Sequence, residues 1–123
     1  MGAFIGVMQT NLMVRDIERA KVWYREILQA HIEEDYGTTV LISFGGSSSA
    51  PICLIQDGEA AGGQQSSYPV LQISEEHKDA VYEDLRIKGV KLEGNPAHRS
   101  HFKFYDCDGN RLEAYCPGIY EES

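Results

Sequence analysis

The architecture turns on residues 9–28, QTNLMVRDIERAKVWYREIL, because one spatial period gives way to another inside them. Up to Val14 the residues alternate, with Thr10, Leu12 and Val14 pointing one way and Gln9, Asn11 and Met13 the other, the two-residue period of a strand that begins near Val7. From Asp16 the period lengthens. Ile17, Ala20, Tyr24, Ile27 and Leu28 share one helical face, and Glu18, Arg19, Lys21, Arg25 and Glu26 fill much of the other. Asp16 has the short carboxylate that caps the first exposed amides of a helix. The segment predicts a strand, polar on its second face, followed by an amphipathic helix laid on a sheet.

Downstream, three strand-like runs follow at His31 to Tyr36, Thr39 to Phe44 and Ile52 to Gln56, separated at Tyr36-Gly37 and by the loop Gly45 to Ser49. The small, polar, Gly-rich stretch Asp57 to Ser67 reads as a surface connection between two structural units. The second half then repeats the order of the first. It has a strand at Tyr68 to Ile73, a Ser74-capped helix carrying Val81 and Leu85, and a stop at Gly89. Strands follow at Val90 to Glu93, His101 to Tyr105 and Leu112 to Cys116, the last two joined by the turn Asp108-Gly109-Asn110. Each half is one βαβββ unit: module one over about 1–58, a linker over about 57–67 and module two over about 68–120. The prediction is an α+β fold of two tandem βαβββ modules forming a curved mixed sheet around a trough, with the helices outside. A ferredoxin-like domain is the runner-up; it has one helix for every two strands.

The chain's 123 residues suit one domain, and 42% hydrophobic with 24% charged residues excludes collagen-like, low-complexity and disordered classes. Nineteen acidic against eleven basic residues give a net charge of −8, which opposes nucleic acid and anionic membranes. The densest basic stretch, His98 to Lys103, is too sparse for a nucleic-acid face. Cys53, Cys107 and Cys116 are odd in number and lack Cys-x-x-Cys spacing, so they read as reduced thiols of a cytoplasmic protein. No run of about 18 apolar residues suggests a membrane span.

Two stretches carry a family resemblance. Asn11 to Ala20, NLMVRDIERA, followed by Trp23 to Leu28, WYREIL, resembles the opening signature of the glyoxalase, bleomycin-resistance and dioxygenase superfamily, the vicinal oxygen chelate proteins. Phe104 to Glu113, FYDCDGNRLE, resembles its closing motif, with Cys107 standing where the motif has proline. With the repeat, the resemblance covers essentially the whole chain. It implies a trough in which four inward positions, two per module, can hold one divalent ion, and it implies a homodimer.

Carried over residue by residue, the resemblance places the first ligand seven residues before Asp16, at Gln9, and the last at Glu113, two after Arg111. The internal repeat maps Gln9 to Tyr68 and Glu113 back to Gln56. The metal candidates are thus Gln9, Gln56, Tyr68 and Glu113, with Glu113 also the candidate proton acceptor. The ion would be Mg²⁺, Mn²⁺, Zn²⁺, Ni²⁺ or Fe²⁺. Two carboxamides, a phenol and one carboxylate are harder, weaker donors than the imidazoles and thiolates of catalytic zinc, iron and nickel sites. Asn11 and Met13 near Gln9, Arg111 and Tyr115 beside Glu113, and His101 with Lys103 are the candidate substrate contacts. His31 and His77 read as structural or exposed, Tyr24 as core, and Cys53 as facing the helix.

Two functions stay open. The first is a metal-dependent lyase, isomerase or dioxygenase acting on a small molecule with adjacent oxygens, the ion stabilising an enolate or oxyanion. The second is metal-independent binding or sequestration of a drug or metabolite, for which the acidic chain favours a cationic ligand.

Overall fold

The computed structural model describes residues 2–4, 6–45, 50–59, 67–93 and 98–118. The loop expected at Gly45 to Ser49 and the connection at Asp57 to Ser67 therefore lie largely outside the described residues, as do the last positions of module two. The chain divides into two compact units, residues 1–61 and 62–123.

The first unit runs β1 (Thr10–Val14), α1 (Ile17–Ile27), β2 (His31–Asp35), β3 (Thr39–Ser43) and β4 (Ile52–Gln56). Its sheet has the order β1-β4-β3-β2, with β1 parallel to β4 and the other pairs antiparallel. Leu12, Val14, Val40, Ile42, Ile52 and Leu54 share the buried face and meet Ile17, Ala20 and Tyr24 of α1 in the core. Asp16 starts the helix as its sequence predicts, its Oδ1 accepting from the amides of Glu18 (3.0 Å) and Arg19 (3.2 Å). The Ile17 amide is satisfied from the sheet instead: it donates to Gln56 Oε1 at 2.9 Å.

The second unit runs β5 (Val70–Gln72), a single 3-10 turn (Glu75–His77), α2 (Val81–Ile87), β6 (Lys91–Leu92), β7 (His101–Tyr105) and β8 (Arg111–Tyr115). Its sheet repeats the pattern as β5-β8-β7-β6, with β5 parallel to β8. Two four-stranded mixed sheets and two helices make the expected α+β architecture of βαβββ units, and this strand count sets aside the ferredoxin-like alternative. Ser74 differs from expectation. It opens the 3-10 turn without a side-chain cap on any amide. Its hydroxyl instead meets His77 Nδ1 at 2.7 Å, and α2 begins only at Val81. Gly89 ends α2 at φ +82°, the left-handed conformation its sequence position demands.

The core of this unit is aromatic. Phe102 and Phe104 of β7 lie on the buried side, and Tyr82 of α2 meets Phe102 edge to face with ring centres 5.1 Å apart. Leu112, Ala114 and Cys116 complete that side from β8 and its end, and burial pushes the Cys116 thiol up from its ordinary value. The turn between β7 and β8 is built on one carboxylate. Asp106 is only 7% exposed, and its two oxygens accept from the amides of Asp108 (2.8 Å) and Asn110 (2.9 Å) and from Asn110 Nδ2 (3.0 Å).

Candidate functional site

Because Phe102, Phe104, Leu112 and Ala114 turn inward, the alternate residues of β7 and β8 turn out. Antiparallel register then sets His101 opposite Tyr115, Lys103 opposite Glu113 and Tyr105 opposite Arg111, all on one open face. Parallel pairing adds Val70 beside Glu113 and Gln72 beside Tyr115, and the edge strand adds Lys91 beside Tyr105. Five candidates from the sequence, His101, Lys103, Arg111, Glu113 and Tyr115, are thereby brought onto a single sheet face.

Their contacts define a compact network. His101 Nε2 lies 2.8 Å from Glu113 Oε2, a diagonal cross-strand pair with side-chain exposures of 34% and 17%. The imidazole ring meets Tyr115 edge to face at 4.8 Å between centres. This is an ion pair when the imidazole is protonated and a hydrogen bond to a carboxylate when Nε2 carries the proton of the neutral ring. Beside it, Lys103 Nζ and the Arg111 guanidinium stand 5.9 and 5.7 Å from the centre of the Tyr68 ring. Arg111 also lies 5.8 Å from the Tyr105 ring, with Lys91 Nζ at 5.1 Å from the same ring. The Tyr105 hydroxyl donates to Glu93 Oε2 at 3.0 Å, and Arg111 Nε stands 3.7 Å from that oxygen. Hydrogen bonding with Tyr105, backed by the Glu93 charge, holds Arg111 above its already high ordinary value. A shallow depression of about 200 Å³ is lined by Glu93, His101, Phe102 and Lys103.

In the first unit Gln9 Nε2 donates to Asn11 Oδ1 at 2.9 Å, and Met13 is exposed on the same strand. Gln56 corrects the repeat mapping. It is two residues from core-facing Leu54, so it lies on the helix side of β4, where its carboxamide is spent on the Ile17 amide. The repeat offset that takes Gln9 to Tyr68 takes Asn11 to Val70, and the register partners of those two are Cys53 and Glu113. Cys53, not Gln56, is therefore the counterpart of Glu113. Cys53 also sits on the face away from α1, beside Asn11 and Leu41, contrary to the helix-facing reading, although it is only 4% exposed. Lys91 and Glu93 are the residues the sequence reasoning missed. Their alternation about Leu92 was the available signal.

The donor chemistry does not fit a divalent ion. Among the described residues no three His, Cys, Asp or Glu side chains converge. At the mapped positions, the Gln9 carboxamide donates through Nε2 to Asn11, the Tyr68 phenol has two cations beside its ring, and one oxygen of the Glu113 carboxylate is hydrogen-bonded with His101. Gln56 and Cys53 add a helix cap and a buried thiol. One carboxylate with neutral partners supplies little charge to offset dehydration of a divalent ion.

Known proteins agree with this fold. The uncharacterized protein YraH of Bacillus subtilis (strain 168) is 29% identical over 124 residues, spanning 89% of this chain and 96% of the relative. The crystal structure of the fosfomycin resistance protein FosX from Listeria monocytogenes, complexed with Mn(II) and sulfate, is similar in fold with a TM-score of 0.71 at 20% identity, covering 96% of this chain and 94% of that one. The trypanothione-dependent glyoxalase I of Leishmania major gives a TM-score of 0.76 at 18% identity, over 96% of this chain and 91% of that one. A family model described as a glyoxalase-like domain matches residues 7–116. The chain therefore belongs to the glyoxalase-like domain family, within the vicinal oxygen chelate superfamily.

Proposed function

We propose that this chain is a small-molecule binding protein of the glyoxalase-like family that takes up its ligand on the open face of the second unit without a resident metal ion. One observation carries the reading: Glu113, the single carboxylate at a mapped ligand position, is already hydrogen-bonded by His101 at 2.8 Å. A carboxylate so engaged offers one oxygen to a ligand donor, and the imidazole beside it offers a second polar edge. Tyr68, Tyr105 and Tyr115 supply apolar ring surface with polar tips, the mixture common in small-molecule sites. The fold relative FosX is a resistance protein, which is in keeping with a ligand that is a drug or a metabolite.

The competing reading is the metal-dependent lyase, isomerase or dioxygenase, and FosX with its Mn(II) is what favours it. The experiment is a thermal-shift screen of metabolites and drugs in EDTA, paired with calorimetric titration of Mn²⁺, Mg²⁺, Zn²⁺, Ni²⁺ and Fe²⁺. Binding without metal predicts ligand stabilisation that EDTA leaves unchanged, about 2.7 kcal/mol at a hundredfold excess over Kd. Stoichiometric divalent-ion binding that disappears in Glu113→Ala refutes it and restores the enzyme reading. A cytoplasmic homodimer completes the proposal. Light scattering of the purified protein reads its mass directly, and a monomer at micromolar concentration contradicts it. No helix among the described residues is long and apolar enough to cross a membrane.

A further inference from the structure

We infer that the open face of the first unit is a binding site of its own, for a neutral flat heterocycle with a lactam edge, Gln9 and Asn11 reading the edge and Met13, Leu41 and Ile55 carrying the ring. It goes beyond ligand uptake by the second unit and stands whether or not that occurs. The open faces of the two units are built at equivalent positions of the repeat. With Cys53 the counterpart of Glu113, antiparallel register makes Leu41 the counterpart of Lys103, Thr39 of His101 and Ile55 of Tyr115. Lysine, glutamate and histidine of the second face thus give way to leucine, cysteine and threonine in the first. No Asp, Glu, Lys, Arg or His stands on this face of β1, β4 or β3. Charge returns at the edge strand β2, where Glu34 is the register partner of Leu41. Such a face gives an ionic ligand no counter-charge to offset its desolvation, so it selects a neutral one.

The hydrogen-bonding groups of β1 on this face are two carboxamides held together. Gln9 and Asn11 share the parity opposite to core-facing Leu12 and Val14, and Gln9 Nε2 donates to Asn11 Oδ1 at 2.9 Å. That bond leaves the Gln9 Oε1 acceptor and the Asn11 Nδ2 donors for a ligand. A lactam carries one N–H and one C=O on adjacent atoms, the complement of an acceptor and a donor on neighbouring side chains. Because the carboxamides already brace each other, little of their freedom remains to be lost on binding. The ring has an apolar surface beside them. Asn11, Cys53 and Leu41 form one row across the sheet, and Met13, Ile55 and Thr39 form the next. Leu41 and Ile55 are half-buried and Met13 is 45% exposed, so a flat ring laid there removes apolar area from water. The Met13 thioether adds a favourable contact with an aromatic ring.

The test is an NMR titration of the whole protein in EDTA with 2-quinolone, and with N-methyl-2-quinolone, whose lactam donor is blocked. 2-Quinolone is expected to shift the side-chain amide signals of Gln9 and Asn11 and the Met13 methyl to saturation, with the N-methyl probe at least about tenfold weaker. Gln9→Leu and Asn11→Leu should each weaken 2-quinolone about tenfold and bring the two probes within about threefold of each other. Wild type alone supplies a second readout: raising NaCl from about 50 to about 500 mM should leave 2-quinolone affinity within about twofold. No saturable shift, equal affinity of wild type for the two probes, a strong salt dependence, or an N–H preference kept by both folded leucine variants overturns the inference. If saturation is confined to signals of Tyr68, Tyr105 and Tyr115, this site fails and uptake by the second unit stands. If the Gln9, Asn11 and Met13 signals move on dilution of the protein without probe, the face is a contact between copies and the inference fails.

Discussion

Asp106→Ala should be among the most damaging single changes in the second unit. The carboxylate is 7% exposed and closes the β7–β8 turn by accepting from the Asp108 amide, the Asn110 amide and Asn110 Nδ2. Asp108 is partly open to solvent, so water can replace the first bond; Asn110 is buried, so its two donors lose their partner outright. Two orphaned donors at about 1–3 kcal/mol each, with partial relaxation of the turn, give a cost of about 3 kcal/mol. For 123 residues, at about 2.1 cal/mol/K of unfolding entropy per residue, that corresponds to a Tm lowered by about 12 °C. Thermal unfolding followed by circular dichroism, backed by urea titration, measures it. Asp106→Asn keeps one acceptor oxygen but must turn an amide toward the Asn110 donor, so about half the loss is expected. A fall of less than about 3 °C for the alanine variant, or an asparagine variant worse than alanine, would refute the account of the turn.

Further outcomes follow from other contacts. Gln56→Ala removes the acceptor of the Ile17 amide and should cost about 1 kcal/mol by urea unfolding with the m-value unchanged; no loss means that water serves the helix start equally well. Cys107 is the second residue of the turn closed by the bond from the Gly109 amide to the Asp106 carbonyl, where proline is favoured, so Cys107→Pro should add about 0.4–1 kcal/mol; destabilisation contradicts this. Lys21, 2.8 Å from Asp35, holds that carboxyl below its ordinary range. The folded state thus binds the Asp35 proton less readily than the unfolded chain, so the pair's contribution is complete above the ordinary range and is lost as pH falls through the lowered value. Carboxyl NMR of Lys21→Met should show Asp35 titrating at higher pH than in wild type, and an unmoved midpoint would rule out the lysine as the cause. With Cys116 buried and its thiol pushed up, an aromatic disulfide reagent should modify half-buried Cys107 first; prior reaction at Cys116 would contradict the packing.

What could be read from sequence divides along physical lines. Asp16 and the Ile17, Ala20, Tyr24 face were legible because capping and helical period are local properties, fixed within one or two turns. Glu113 was legible as outward because parity within β8 is local too. Gln56 was misplaced because its role depends on the register of a parallel pair whose strands lie far apart in the chain, and a shift of one residue exchanges the faces. Cys53 was misread for the same reason, and its burial came from neighbours on both adjoining strands. The His101–Glu113 contact needed both the β7–β8 register and the side-chain directions, neither of which spacing alone contains. The second helix was read as starting at Ser74 because serine is a good cap; the hydroxyl found His77 instead, and the chain took a 3-10 turn first.

The parallel outer pairs also order events in time. β1 meets β4 only after the helix and two strands between them have been traversed, and the Gln56 bond to Ile17 closes 39 residues. The antiparallel run from β2 through β3 to β4 closes shorter loops, so it should assemble before β1 arrives. Substitutions in β1 and at Gln56 are then expected to quicken unfolding while leaving the refolding rate nearly unchanged. During synthesis β1 and β5 each leave the ribosome about forty residues before the strand they pair with, and until β4 emerges the apolar face of β1, Leu12 and Val14, has no sheet to join.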